Sequence, residues 1–503
     1  MTFNNILLVS SGLVQYSRPP AALAFLSGVC ETLNLNYEPY DINYQVLQYC
    51  GHDQWFNMLV MNDVSWNKWP APLQHLRDLA LTNIVNEVVV KNPDLIAITV
   101  LSHLQHLWTT EFLIRIKRQL PQCKIILGGP GGSIAAAQCT DMFYGRWLAD
   151  QDLVDYFVYG EGEIIFPEFL RGNDNLPGLN KKNNTQDSWQ PQIEDLDVFA
   201  FPSYKKIPTK NYTGPDGQSR IIITGSKGCV RSCSFCDIQH FWKKYRYRSG
   251  ANIAKELLHH HKTTGAVNFW FNDSLINGSI KNFKQLLDNL IEFKKIEPGL
   301  SSLTASGQFI IRAKNSHPES LYQKMAAAGI RRLETGIESG SFAVRQHMGK
   351  NFTNEDIDWH FEMCEKYKIH NVLLLIVGYP TETQDDFAAT IDMLRQYQKY
   401  ILNDTIIHVN LQSPLAVLPD TPLWEHRTEI DVNSLDDYMT WHNLNNPELT
   451  FKERIRRLYK AANISLDLGY SIAQEFTHYY EQWYQQLQDD SKTQRKIPIV
   501  LKV

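Results

Sequence analysis

The stretch Gly228-Cys-Val-Arg-Ser-Cys-Ser-Phe-Cys-Asp237 places Cys229, Cys233 and Cys236 on one short loop with the spacing C-x3-C-x2-C. Three thiolates so spaced can each hold one iron of a [4Fe–4S] cube, whereas closed clusters of that kind recruit four cysteines. The fourth iron is then open to a substrate or a second cofactor. With 8 Cys in 503 residues, this spacing arises by chance in roughly two chains per thousand, so the triplet reads as a metal site. The competing reading is a structural zinc loop, which needs four ligands, and His240 stands near enough in sequence to be the fourth. Ahead of the loop, Ile221-Ile-Ile-Thr224 is a short apolar strand. The cysteines therefore sit at a strand's carboxyl end, where α/β barrels place their chemistry.

Downstream, strand and helix patterns alternate. Val267-Asn-Phe-Trp-Phe271 reads as a second strand ending at Asn272-Asp273, and Leu303-Thr-Ala-Ser-Gly-Gln308 as a third, followed by Ile310-Ile-Arg312. Arg332-Leu-Glu-Thr335 is the fourth, running into Gly336-Ile-Glu-Ser-Gly340. Asn371 to Val377 is the fifth, ending in Gly378-Tyr-Pro-Thr-Glu382, and His408 to Gln412 is the sixth. Upstream, the same alternation marks a separate module. Ile6–Ser10 and Asp94–Val100 are buried strands, Ala21 to Leu33 is a helix begun at Pro19-Pro20, and a further helix runs through Gln119. Lys124–Leu127 leads to Gly128-Gly-Pro-Gly-Gly132, and Val154–Val158 to Gly160-Glu-Gly-Glu163 and another helix. Such alternation predicts a doubly wound parallel sheet with ligands at the carboxyl ends of its strands. Between them, 173–215 is polar and turn-rich and reads as a linker, with Ile193–Pro202 crossing toward the barrel and anchored on it.

Composition bounds the rest. A 43% hydrophobic chain of this length supports two or three cores. Its formal charge of −5 argues against nucleic acid or an anionic membrane as partner. No apolar run reaches about 18 residues, so the expectation is a cytoplasmic protein, the compartment that keeps thiols reduced. Cys30, Cys50, Cys123, Cys139 and Cys364 are scattered and read as ordinary thiols. The run His259-His-His261 reads as a helix end. The aromatic tail from 426 to 503, with Trp424 just before it and Tyr438, Trp441 and Tyr479-Tyr480 within it, is expected to be helical.

The cysteine triplet, with Phe235 just ahead of the third cysteine, resembles the signature of the radical S-adenosylmethionine (SAM) superfamily. In that family SAM chelates the open iron and is cleaved to a 5′-deoxyadenosyl radical. The resemblance implies metal ligands at Cys229, Cys233 and Cys236 and an aromatic wall at Phe235. It implies SAM contacts at Asp273, Ser306, Glu338, Gly378 and Pro380, with Gln308 and Arg312 reaching substrate or carboxylate. A capping acid is the plainer reading of Glu338, and Arg246 and Arg248 are expected to pin the loop after the cluster. The front module resembles the cobalamin-binding domain that precedes many such cores, at Ser102, Leu104, Gly128 and Gly129. Small residues there would let the corrin approach the backbone. The Asp-x-His-x-x-Gly motif of many cobalamin proteins is missing after the first strand, and His103 and His106 read as ordinary residues. A front domain that binds no cofactor is the alternative.

The expected fold is α/β: a Rossmann-like doubly wound cobalamin-binding-type domain over 1–172, the linker over 173–215, a partial (β/α)6 radical SAM barrel over 216–425 and a helical region over 426–503. The expected function is a cobalamin-dependent radical SAM methyltransferase acting on an unactivated carbon. The expected cofactors are a [4Fe–4S] cluster, SAM and cobalamin. The expected partners are a small-molecule or peptide substrate and an external electron donor such as flavodoxin or ferredoxin. A radical oxidase, cyclase or rearrangement enzyme is the alternative among enzymes, and a cobalamin or redox sensor the alternative outside them. Fold alone does not name the substrate.

Overall fold

The computed structural model describes residues 3–14, 17–62, 66–136, 139–214, 216–411, 414–419, 421–426, 430–431, 439–472, 481 and 484–485. It divides into two compact units: one runs to Ile222 and takes in His259–Ala266, and the other begins at Ile223.

The first unit contains β1 (Ile6–Ser10), β2 (Tyr37–Asp41), β3 (Leu95–Thr99), β4 (Lys124–Gly128), a small pair β5 (Ala135–Ala136) and β6 (Cys139–Phe143), β7 (Tyr156–Val158) and β8 (Leu179–Asn180). The main sheet has the order β2-β1-β3-β4-β7-β8. All its pairings are parallel except that of β8, which runs antiparallel to β7. Every residue of β1 is buried, as expected of a parallel strand covered on both faces. The order reverses direction between β1 and β3, which makes the crevice above those two strands the ligand position of a doubly wound sheet.

Sequence patterning passes over β2, because Tyr37-Glu-Pro-Tyr-Asp41 is neither apolar nor alternating. It lies at the sheet's edge, where the missing N–H of Pro39 breaks no ladder. The stretch expected as a linker behaves differently from that expectation. It supplies β8, and its later part lies along the helix Ala21–Thr32 of the same unit. There Ser203 N donates to Ala24 O at 2.7 Å, and a Cβ on Gly28 would stand 2.1 Å from Phe201 O. The bare backbone of Gly28 is what lets the segment pack so closely, so the anchor expected on the barrel is found within the first unit.

The barrel strands are β9 (Ile221–Ile223), the short pair β10 (Ser226–Lys227) and β11 (Arg246–Tyr247), then β12 (Asn268–Phe271), β13 (Thr304–Phe309), β14 (Ile330–Glu338), β15 (His370–Leu375) and β16 (Ile406–Asn410). Six of them form an open sheet in the order β16-β15-β14-β13-β12-β9, with parallel pairing from β12 to β16. Beyond the barrel, Phe451–Asp467 is the long helix. The region before it is not all helix, since Ile430–Asp431 pairs with His442–Asn443. Gln412, Tyr438, Tyr479 and Tyr480 lie outside the described residues. Among the described residues no helix is long and apolar enough to cross a membrane.

Asp41, at the end of β2, caps the helix Ile42–Cys50 by accepting from Asn43 N at 3.1 Å, and also accepts from the Tyr212 hydroxyl at 2.9 Å. Burial pushes its carboxyl up to about 6 despite those hydrogen bonds. The folded chain therefore binds this proton more readily than the unfolded chain. The group's contribution to stability is greatest below the unfolded value and falls as pH rises through the folded one. Asp41→Asn keeps an acceptor without the charge. In urea unfolding it is expected to gain on the wild type by about 3 kcal/mol between roughly pH 4 and pH 7.

Candidate active site

The cysteine loop leaves β10 at Gly228 and is held on two sides. On one, Ser234 N donates to Met348 O at 3.3 Å. On the other, the Ser234 hydroxyl meets the Tyr379 hydroxyl at 2.8 Å, and Tyr379 in turn meets His347 Nδ1 at 2.7 Å. Ser234 O also accepts from Leu423 N at 2.8 Å. These bonds use the loop's backbone and its serine, and the three half-buried thiols form no disulfide, Cys229 Sγ accepting from Arg231 N at 3.4 Å. Burial raises all three thiols, that of Cys236 to about 11, while the charges of Lys350 and Arg231 pull Cys229 and Cys233 back down. Thiolate is the ligating form, so these cations favour metal binding.

Among the described residues no three His, Cys, Asp or Glu side chains are gathered tightly enough to hold a single ion. Three thiols on one short loop suit a cluster that takes one iron from each, whereas a zinc site asks for a fourth ligand. The side chain of His240 lies outside those described.

Glu338 ends β14 and is the most constrained residue near this loop. Its φ is +68°, a left-handed conformation that costs a non-glycine residue roughly 1–2 kcal/mol. It sits where the register between β14 and β15 shifts between Gly336 and Glu338, a bulge that re-aims a side chain. Its carboxylate pairs with Lys350 Nζ at 2.7 Å, both side chains being 9% exposed, and the same ammonium donates to Gly336 O at 2.9 Å. A Cβ on Gly336 would lie 2.5 Å from Glu338 Oε1 and 2.8 Å from Lys350 Nζ. A side chain at Gly336 would therefore displace the ends of both paired side chains. The nearby helix Phe342–His347 is capped by Ser341 instead, so Glu338 is not a capping acid.

A cavity of about 320 Å³ brings Phe235 of the cysteine loop and Glu338 together, walled by Leu374–Ile376, Asn410, Pro414–Ala416 and Leu418. These walls and Lys350 were not legible as site residues. The walls read as strand and loop hydrophobics, and Lys350 stands 12 residues from Glu338 with no motif joining them.

Other expected residues are occupied within the protein. Asp273 accepts from Gly225 N at 2.9 Å and the Ser226 hydroxyl at 2.5 Å, and is buried, with its carboxyl pushed up to about 6 by that burial. It pins the corner that leads into the cysteine loop. Arg248 secures the same corner by donating to Thr224 O at 3.1 Å and pairing with Glu256, while Arg246 lies over the Trp242 ring. Ser306 is buried on β13 and Gln308 is exposed. Arg312 donates to Gly278 O at 3.1 Å, and burial, aided by the charge of Arg231, lowers it from its usual range. At Gly378, with φ +80°, the space for a side chain is filled by Arg454, whose Cγ would lie 2.6 Å from an added Cβ. Pro380 O accepts from Asn443 Nδ2 at 2.9 Å. Within the protein, the glycine–proline turn is therefore shaped by the segments that pack on it.

In the first unit, the loops above β1, β3 and β4 form the crevice rim. Gln105 ties two of them, accepting from Leu101 N at 2.5 Å and donating to Ser11 O. Ser102, Leu104, Gly128 and Gly129 are all partly exposed there. A Cβ on Gly128 would meet nothing within 4 Å, whereas one on Gly129 would strike Val100 O at 2.4 Å. The surface at Gly128 is thus open to a ligand, and Gly129 is demanded by the protein's own backbone. His106 is buried, stacked on Tyr144 at 3.7 Å, with Nε2 bound to Gly131 O at 2.8 Å. Burial lowers its imidazole to about 4, and its ring is committed to the fold.

Gly336→Ala is expected to force Glu338 and Lys350 apart and to lower the unfolding free energy by about 1–3 kcal/mol, measured by urea unfolding of the full chain.

The radical SAM superfamily model matches residues 223–394. An uncharacterized methyltransferase of Pyrococcus horikoshii is 25% identical over 409 residues, covering 78% of this chain and 82% of that protein. An anaerobic magnesium-protoporphyrin IX monomethyl ester cyclase of Synechocystis is 22% identical over 293 residues, covering 56% and 55%. Among solved structures, the radical SAM methyltransferase TsrM of Kitasatospora setae, with cobalamin and a [4Fe–4S] cluster bound, superposes with a TM-score of 0.63 at 17% identity. That match covers 97% of this chain and 100% of TsrM. The cobalamin-dependent radical SAM enzyme OxsB, with aqua-cobalamin and SAM bound, gives 0.62 at 14%, covering 92% and 66%. These likenesses show a shared fold. The matched stretch holds the cysteine loop and β12 to β15, which carry Phe235, Glu338 and part of the cavity wall: over residues 223–394 the chain is similar to the radical SAM superfamily.

Proposed function

We propose that this protein is a cobalamin-dependent radical SAM methyltransferase that methylates an unactivated carbon. The observation that carries the reading is the single cavity lined by both Phe235 of the cysteine loop and Glu338 of β14. It brings the aromatic wall beside the cluster ligands and an acceptor for a nucleoside or an amine to one ligand-sized space. Cys229, Cys233 and Cys236 would hold the cluster by three irons. When bound, the cluster supplies one electron and an open iron, SAM supplies the radical and the methyl group, and cobalamin supplies the carrier for that methyl. The chain's own residues do the rest. Glu338, with one oxygen taken by Lys350, offers the other to the ligand's hydroxyls or amine. Leu374–Ile376, Pro414–Ala416 and Leu418 exclude water, which protects a carbon radical from side reactions. Asp273, Ser306, Gly378 and Pro380 act around this space, Asp273 by holding the loop's entry corner.

Support for cobalamin comes from the first unit. Its strand order sets a ligand crevice above β1 and β3, with Ser102, Leu104 and Gly128 on the open rim, and its fold is shared with TsrM and OxsB. The reading extends 1–172 as the cobalamin module and 216–425 as the barrel. It places the enzyme in the cytoplasm with a low-potential flavin or iron–sulfur protein as electron donor.

The test is anaerobic reconstitution with and without cobalamin, followed by reduction and assay of 5′-deoxyadenosine and S-adenosylhomocysteine. Wild-type protein is expected to retain corrin and to form both products, and Cys233→Ser to lose the cluster's visible absorption and reduce deoxyadenosine to background. Deoxyadenosine without retained corrin would replace the methyltransferase reading by a radical oxidase, cyclase or rearrangement enzyme. Corrin retained without any SAM cleavage would point to a sensor.

A further inference from the structure

The turn after the helix Phe342–His347 touches the cysteine loop and the cavity together. Gly349, at φ +82°, has space for a Cβ that would lie 3.5 Å from Ser232 O and 3.9 Å from Cys233 Cα. Met348 O accepts from Ser234 N at 3.3 Å, and Lys350 N closes the turn on Arg345 O at 2.8 Å. The next atoms outward are the Lys350 side chain, whose ammonium reaches Glu338 Oε1 at 2.7 Å and Gly336 O at 2.9 Å. A buried cation is thus fixed between the backbone that carries Cys233 and the carboxylate that lines the cavity.

We propose that Lys350 is a positioning residue with two linked effects: it aims Glu338 into the cavity, and its charge raises the reduction potential of a cluster held by Cys229, Cys233 and Cys236. The inference rests on the radical SAM reading of this site. The cluster must accept one electron from an external one-electron donor, a low-potential flavin or iron–sulfur protein, before SAM is cleaved. That step adds one negative charge next to three thiolates. A fixed cation in a poorly screened setting favours the reduced form, and nearby charge is among the levers that set cluster potentials. The paired Glu338 carboxylate carries the opposite charge at 2.7 Å, so the two groups tune the site against each other. The left-handed backbone at Glu338 and the bare Gly336 accommodate that pairing. Lys350 shares Oε1, so Oε2 is the atom turned to the ligand.

The test uses the full chain, reconstituted anaerobically, with K350M, K350R, E338Q and the double variant E338Q/K350M. Cluster midpoint potentials are read by paramagnetic-resonance titration with dithionite, and SAM affinity by equilibrium dialysis. K350M is expected to lower the midpoint and to weaken SAM binding by about tenfold or more. K350R, which keeps the charge, is expected to restore the midpoint, and E338Q to raise it. The double variant is expected to fall below E338Q, near the wild type, while SAM binding stays weak. A cluster-loaded K350M with the wild-type midpoint and affinity overturns the inference alone. Should K350M fail to load iron, the double variant decides: a midpoint equal to that of E338Q overturns it. A wild-type protein that holds no cluster overturns the radical SAM reading itself, which separates the two failures.

Discussion

The buried pair between Glu338 and Lys350 ties together parts of the barrel that are far apart in sequence. Glu338 can reach Lys350 only because β14 slips register against β15 at Gly336 and because its own backbone takes a left-handed turn. Lys350 can reach back only because the turn Met348-Gly349-Lys350 lies directly against the cysteine loop. Taking two charges out of water is expensive, and a buried pair is a poor source of net stability, whereas breaking one by removing a partner leaves an uncompensated charge. Such a pair persists where position matters more than stability. Here it fixes one wall of the cavity relative to the three thiols.

Around that pair the two units solve the same problem in the same way. Parallel strands must be joined by crossovers, so every loop that leaves a carboxyl end collects on one edge of the sheet. In the barrel, that edge gathers the cysteine loop after β10, Glu338 after β14, the Gly378–Glu382 turn after β15 and the wall of Pro414–Ala416 and Leu418 after β16. In the first unit it gathers the rims after β1, β3 and β4. The C-terminal helix then secures one of these loops. Arg454 stacks on Trp441 at 3.7 Å and donates to Trp441 O at 2.8 Å, and Arg457 pairs with the buried Glu382 at 2.9 Å. Burial pushes the Glu382 carboxyl up to about 7 against that pairing. Trp441 of the tail thus supports, through Arg454, a loop of the site.

Much of this was legible from residues in order. Apolar runs such as Ile6–Ser10 and Leu95–Thr99 announce central parallel strands, because both faces of such strands are buried. The cysteine spacing announces a candidate metal loop, because Cys229, Cys233 and Cys236 lie within one short stretch of chain. Edge strand β2 was hidden by Pro39 and Glu38, and β8 by the polar turns around it, since neither needs an apolar face. The reasons for Gly378 and Asp273 were also hidden. Both look like residues turned to a ligand, and both have partners in the protein: Arg454 from the distant C-terminal helix, and the Gly225–Ser226 corner.

The sequence by itself determined the alternation of strands and helices and the triplet Cys229, Cys233 and Cys236 with the aromatic Phe235 beside it, because each of these depends on periodicity or on spacing within a few residues. Only the tertiary structure decided which carboxylate faces the cavity, which cation accompanies it, and which apolar residues enclose the space. Those depend on contacts across dozens of positions, on a one-residue register slip in β14 and on the absence of a single Cβ at Gly336. No local pattern encodes such conditions, because they are properties of the packed sheet and not of any one strand.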